Sequence, residues 1–472
     1  MPGSKKNIIA LRREDLNRKG EKRAAISPDV AAKLTASGAK LWVQPRRHPE
    51  ARKIKRIFTD AAYKQVGAVV RENIQPADVI IGLKEINLEG IYPGKTYAFF
   101  SHTHKGQKKN RKMLRALVQG KCSLIDYELI TNKDGARTLT AFTYHAGYAG
   151  MTDTLWVLGQ RLRREGIPNP FEPIRQSQEL QELAAIRGVI KGVGKDIERN
   201  GTPRELPPII NCILGEGKTS TGAQHIYSHL PVEHITLAQL PQVFANGSRH
   251  KVYQLLLGIP EIFRLKPDVG NLHSVYRVWP REEQVELYLS QPELFESNLD
   301  QVLPYVTLIT NCILWSPRYP RTLTRALMEA QYAHHSPLRV IGDITCDPEG
   351  SIEFSKDTWI DDPVFIYHPA RKTSEMGMDG DGVAVMAVTN LPCELSADSS
   401  DQFARELSPL LDALVNARLD VSLEEAGLPE SIMRATILWR GEFTPRFSYM
   451  EEFVQPEAPA EALFPVSGTH ME

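Results

Sequence analysis

No apolar run in this chain approaches the roughly 20 residues that a bilayer-spanning helix needs, which excludes such a span. The first residues are polar and basic without an apolar core, so no secretory signal is expected. Cysteine is sparse: five residues, at 122, 212, 312, 346 and 393, odd in number and without metal-ligand spacing. That pattern excludes a disulfide framework, predicts no structural metal, and fits reduced thiols in a cytoplasmic protein. There is no internal repeat, which excludes solenoids and propellers. There is also no net charge, with 57 Lys and Arg against 57 Asp and Glu.

The charge that is there is unevenly spread. Residues 1–120 hold 26 Lys and Arg against 10 Asp and Glu, a net +16, so the remainder carries the opposite charge. No nucleic-acid motif or aromatic interleaving accompanies the basic residues, and no nucleic-acid partner is expected. Lys108, Lys109, Arg111 and Lys112 read either as a solvated helix face or as part of a positive cleft that gathers small anions.

At 472 residues the chain has material for two or three domains. Strand and helix patterns alternate to about residue 130, predicting a doubly wound α/β domain over 1–150. A long helix, roughly 151–164, connects it to a second α/β domain over 151–389, with helices and loops at 248–300 expected as an insertion. A helix over 401–417 follows, and the last sixteen residues, rich in Pro, Ala and Glu, are expected to be loosely ordered.

Two strand ends stand out. Asp78 to Ile81 runs into Gly82-Leu83-Lys84-Glu85, and Tyr97 to Phe100 runs into Ser101-His102-Thr103-His104-Lys105-Gly106-Gln107. Adjacent parallel strands would bring Lys84 and His102 to one sheet edge, where open α/β sheets form clefts. Burial and like charge lower the pKa of both groups toward neutrality, as shared acid–base work requires. Taken singly, Lys84 is more often a solvated lysine, and His102 is as readily a satisfied core or surface histidine.

A third strand, Pro208 to Leu214, leads into Gly215-Glu216-Gly217-Lys218-Thr219-Ser220-Thr221-Gly222. Gly215, Gly217, Ser220 and Gly222 predict a turn whose backbone approaches a pyrophosphate at a helix N-terminus. A P-loop is excluded, because it needs glycine where Cys212 stands. The next strand, around Glu233 to Thr236, ends without the carboxylate that binds a ribose 2′-hydroxyl, and Arg249 and Lys251 follow it. That reading favours NADPH over NADH.

Beyond these sites, ALRRED at 10–15, EKRAAISP at 21–28, LIDYE at 124–128, AGYAGM at 146–151, PRTLTR at 320–325, DITCDPEGSIEF at 343–354 and NLP at 390–392 occur in order. With them the chain resembles the lysine–ketoglutarate reductase branch of the alanine dehydrogenase/saccharopine dehydrogenase family. The resemblance implies two Rossmann-like domains with a cleft between them, the first completed by a returning segment at about 390–456. It implies reductive condensation of L-lysine with 2-oxoglutarate to saccharopine, in lysine degradation. It places acid–base roles on Lys84 and His102, and substrate roles on Arg23, Glu85, Lys105, Gln107 and Glu128. Asp343 and Asp347 would lie near the nicotinamide. His104 departs from relatives, which often carry an apolar or aromatic residue there. A separate glutamate-forming saccharopine dehydrogenase would be the pathway partner, and a homo-oligomer is compatible with the resemblance. Two rival readings stay open: another amine substrate on the same scaffold, or a metabolite-binding regulator without chemistry.

Overall fold

The computed structural model describes residues 6–455 apart from 19, 50 and 335; the expected loose tail at 457–472 lies outside the described residues. Two eight-stranded sheets organise the chain. The first takes β1 (Ile8–Leu11), β2 (Lys40–Val43), β3 (Val69–Val70), β4 (Val79–Ile81), β5 (Thr96–Phe99) and β6 (Ser123–Asp126), all parallel, in the order β6-β5-β4-β1-β2-β3. Residues 9–11, 79–81, 96–99 and 123–126 are buried throughout. Helices cover both faces of such a sheet, so its central strands read as continuous apolar runs.

The second sheet takes β7 (Ile210–Leu214), β8 (Val232–Ile235), β9 (Val252–Leu257), β12 (Leu308–Asn311), β13 (Val340–Asp343), β14 (Val364–His368), β15 (Thr373–Met376) and β16 (Val383–Met386). A small hairpin, β10 (Phe263–Leu265) and β11 (Phe295–Ser297), lies outside it. The order is β15-β14-β16-β13-β12-β7-β9-β8, with β14 and β15 antiparallel. Residues 248–300, expected as an insertion, therefore contain a buried strand of the main sheet. In addition, β8 is the edge strand, and β9 takes the place beside β7.

After β16 the chain returns. The helix Ser396–Asn416 packs under the first sheet, and β17 (Thr436–Trp439) and β18 (Glu442–Phe443) extend it antiparallel beside β6. The connecting helix spans Ala141–Arg164. It starts ten residues before its expected start because Gly147 and Gly150 sit inside it. A Cβ on Gly147 would lie 2.1 Å from the Thr219 carbonyl oxygen, and one on Gly150 2.6 Å from the Ile344 side chain. These glycines serve close packing rather than a helix end.

Candidate active site

The loop after β4 is clamped from β1. Arg12, 4% exposed, donates to the carbonyls of Lys84 and Glu85, and the Glu14 carboxylate accepts from the Leu83 and Lys84 amides. Burial lifts the Glu14 pKa against the pull of Arg12. Gly82 is required here, since a Cβ would fall 2.4 Å from Arg12 Nε. The loop after β5 is held equally firmly. His102 sits at φ +48°, a left-handed conformation that costs a non-glycine residue energy. Asn110 offsets that cost by donating to the carbonyls of Ser101 and His102.

Between these loops, His102 Nδ1 lies 2.9 Å from Glu85 Oε1, and Arg18 pairs with the other Glu85 oxygen at 2.9 Å. Burial raises the Glu85 pKa, but the hydrogen bond and charge of His102, with Arg18, outweigh it and bring it down to about 2. Glu85 is thus a fixed anion that orients the imidazole. The Lys84 ammonium has no hydrogen-bond partner among the described residues. Burial first, and then the Arg23 guanidinium, lower its pKa, with Glu21 and Glu85 opposing.

Lys84, Glu85, His102 and Gln107 line one cavity of about 380 Å³. Asn17, Arg18, Glu21 and Lys109 complete its first-domain wall, and Trp359, Thr389 and Asn390 close it from the second sheet's side. The remaining expected substrate residues stand elsewhere. Arg23 is 3% exposed and grips Glu21 through two nitrogens, at 2.9 and 2.7 Å, with Asn390 at 3.1 Å and the Phe142 ring beneath. Its Nε and Nη2 are thus engaged by the protein. Lys105 and Glu128 face each other at 3.2 Å outside that cavity, with Arg137 at 2.7 Å and His104 at 3.9 Å from Glu128. His104 therefore belongs to the Glu128 cluster and not to the Lys84 cavity. Burial lowers the His104 pKa against the nearby carboxylates.

Arg12, Glu14, Asn110 and Asn390 were not singled out from the sequence. Arg12 and Glu14 were within reach of it, inside the quoted 10–15 motif, but nothing there distinguishes a buried charge from a solvated one.

At the second site, Gly215 turns at φ +97° and its amide bonds the Leu257 carbonyl, aligning the ends of β7 and β9. Gly217 opens the helix Lys218–Tyr227 without a side-chain cap, and a Cβ there would meet nothing within 4 Å. The first amides of this helix are thus free toward open space, as a pyrophosphate requires. That part of the turn fits a dinucleotide. Two of its expected ligands do other work. Ser220 is fully buried and accepts from Gln224, and Gly222 allows the connecting helix to pass, since a Cβ would sit 2.3 Å from the Tyr144 carbonyl.

Arg249 is a clear correction. It precedes β9, at the sheet edge opposite the glycine turn, and donates to the carbonyls of Pro203 and Arg204. Asp343, 1% exposed, is enclosed by Asn311, Ser355 and the Cys346 amide and so shapes the ends of β12 and β13. Asp347 is half-buried beside it, its pKa raised by burial and then by Asp343 and Asp357.

Residues 10–149 match the alanine dehydrogenase/PNT N-terminal domain family. Over 471 residues the chain is 33% identical to the alpha-aminoadipic semialdehyde synthase of Arabidopsis thaliana, covering 96% of this chain and 42% of that protein. It is 30% identical to the mitochondrial alpha-aminoadipic semialdehyde synthase of Bos taurus, covering 97% and 49% respectively. The chain thus spans less than half of each synthase. A saccharopine dehydrogenase [NAD(+), L-lysine-forming] of Schizosaccharomyces pombe is 25% identical, over 84% of this chain and 90% of that one. Among solved structures, an L-alanine dehydrogenase superposes with a TM-score of 0.59 at 16% identity, covering 95% of this chain and 99% of its own. The transhydrogenase of Sinorhizobium meliloti does so at 0.55 and 15%, covering 93% and 100%. At these identities the likeness shows the fold, two Rossmann-like α/β domains.

Proposed function

We propose that this chain, a member of the alanine dehydrogenase/saccharopine dehydrogenase family, joins the ε-amine of L-lysine to the ketone of 2-oxoglutarate and reduces the imine to saccharopine with NADPH. The observation that carries this reading is the pairing, in one cavity, of an unpartnered lysine of lowered pKa with a histidine held by a carboxylate. Condensation needs a neutral amine and a proton donor to the departing hydroxyl. Lys84, deprotonated more readily than an exposed lysine, takes the proton from the attacking ammonium. His102, fixed through Nδ1 by Glu85, presents its Nε2 face and delivers the proton with which the hydroxyl leaves as water. Asn390, Thr389 and Trp359 line the cavity from the second sheet's side, facing the acid–base pair. Gly215, Gly217 and the free amides of the helix Lys218–Tyr227 hold the dinucleotide, whose nicotinamide supplies the hydride.

The test pairs an assay with two variants. Purified protein is incubated with NADPH, 2-oxoglutarate and a panel of amines, and products are identified by mass. Oxidation specific to lysine, with saccharopine formed, supports the reading. Lys84→Met and His102→Ala should each lower turnover about 10²- to 10⁴-fold while the NADPH Kd stays within about twofold. Near-wild-type turnover in a folded Lys84→Met protein ends this mechanism, and oxidation with a different amine redirects the substrate assignment.

A further inference from the structure

In dinucleotide-binding sheets the end of the strand beside the glycine turn meets the adenosine ribose. That strand is β9, whose end is Gly258 rather than an acidic residue. The space a side chain would fill there is occupied. A Cβ on Gly258 would lie 2.0 Å from Arg281 Nη2 and 2.1 Å from Glu216 Oε2. Arg281 comes from the helix Arg281–Ser290, within the segment between β10 and β11, and lies across the junction of the turn and the strand end. It bonds Glu216, the middle residue of the glycine turn, at 2.7 Å, and Glu261 just past β9.

We infer that Arg281 is the residue that reads the adenosine 2′-phosphate and sets the preference for NADPH; this rests on the dinucleotide reading above. Three features support it. The guanidinium, with the Glu216 carboxylate it bonds, occupies the space a side chain at the end of β9 would fill, and the Arg281 side chain is 41% exposed, so a ligand reaches it. Its partners are also surface groups, 51% exposed for Glu216 and 33% for Glu261, and pairs of this kind are weak enough to be exchanged for a better anion. A phosphate offers a doubly charged, bidentate acceptor that suits the planar fork of arginine better than two separate carboxylates do. Glu261 has a second bond to keep it in place, from the Gly258 amide, so Glu216 is the partner that gives way. Lys218, exposed at the start of the glycine-turn helix, is placed for the pyrophosphate common to both nucleotides.

Equilibrium binding tests this without substrate or turnover. Kd values for NADPH and NADH are read from nicotinamide fluorescence, and those for 2′,5′-ADP and 5′-ADP by calorimetry. Arg281→Gln should weaken NADPH and 2′,5′-ADP about 10- to 100-fold and leave NADH and 5′-ADP within about twofold. Arg281→Lys should recover part of the loss. Glu216→Gln should tighten NADPH alone, whereas Lys218→Gln should weaken both nucleotides alike. Equal loss of both nucleotides in Arg281→Gln, no loss of either, or a wild-type preference for NADH overturns the inference while dinucleotide binding stands. Failure of the wild type to bind either nucleotide overturns the functional reading along with it.

Discussion

Gly147→Ala places a single methyl where the connecting helix crosses the glycine-turn helix. It would meet only backbone: the Thr219 oxygen at 2.1 Å, the Ala223 nitrogen at 2.6 Å and the Gly222 carbonyl carbon at 2.9 Å. No rotamer relieves such a contact, so the connecting helix and the glycine-turn helix must separate by about 1.4 Å to restore ordinary contact distances near 3.5 Å. Overpacking of this kind costs about 1–3 kcal/mol, against about 0.5–1 kcal/mol gained by replacing a helical glycine with alanine. The net expectation is a loss of about 0–2.5 kcal/mol, near 1 kcal/mol at the middle of the two ranges. Gly188 is the control: it lies within the helix Leu183–Asn200, and a Cβ there meets nothing within 4 Å. Gly188→Ala should therefore stabilise, by about 0.5–1 kcal/mol. Because Thr219 belongs to the first turn of the helix that opens at Gly217, the forced shift also displaces the amides facing the pyrophosphate. Urea midpoints and NADPH titrations of both variants measure the two effects. The argument is refuted by a Gly147→Ala protein that unfolds at the wild-type midpoint and binds NADPH unchanged, or by equal shifts of the same sign in both variants.

Two further outcomes follow from buried charge. Asp153 and Glu394 are neighbouring carboxyls, 0% and 4% exposed, and burial, reinforced at Glu394 by Asp153, pushes Asp153 up to about 6 and Glu394 well above the usual range. Raised acids bind more protons folded than unfolded, so their contribution is complete below about pH 4 and is lost as pH rises through 6. For Asp153 alone the two-unit rise corresponds to about 3 kcal/mol, so Glu394→Gln should raise the urea midpoint at pH 8 and change it little at pH 4.5; equal midpoint shifts at both pH values would refute this. Arg23, second only to burial in lowering the Lys84 pKa, should act on the pH profile: Arg23→Gln moves the limb that reports Lys84 deprotonation to higher pH. A substrate-gripping arginine would instead raise KM and leave that limb in place.

Strand existence was legible because the central strands of a covered parallel sheet are continuous apolar runs; strand order was less so. The edge position of β8 did leave a trace, since Glu233 and His234 are exposed within it, whereas Val252 to Leu257 is almost wholly apolar. Polar residues on both faces suit an edge, and an apolar run suits a centre. Chain order differs from spatial order here: the strand beside the glycine turn is β9, and Arg249 stands at its opposite end. The start of the connecting helix was lost for a related reason. Glycine reads as a breaker in sequence, yet it is the residue that two tightly crossed helices need.

Site residues divide along the same line. Lys84, Glu85, His102 and Gln107 were legible because they follow strand ends that topology must bring to one edge. Arg23 was legible as a residue but not in its ion pair, which Glu21 forms from two positions away. A buried arginine beside a buried glutamate satisfies that partner first, because leaving either charge unpaired costs several kcal/mol. The same logic accounts for Arg12 and Glu14, which hold the loop of Lys84 and take no part in lining its cavity. The basic excess of residues 1–120 is therefore not a uniform field for gathering anions. Of its buried members, Arg12 fixes the loop of Lys84 and Arg23 sets its basicity, while Lys55 and Arg56 bond carbonyls of their own domain and Arg18 and Lys109 stand in the cavity wall. The basicity of Lys84 thus depends on charges that lie outside the lining of its cavity.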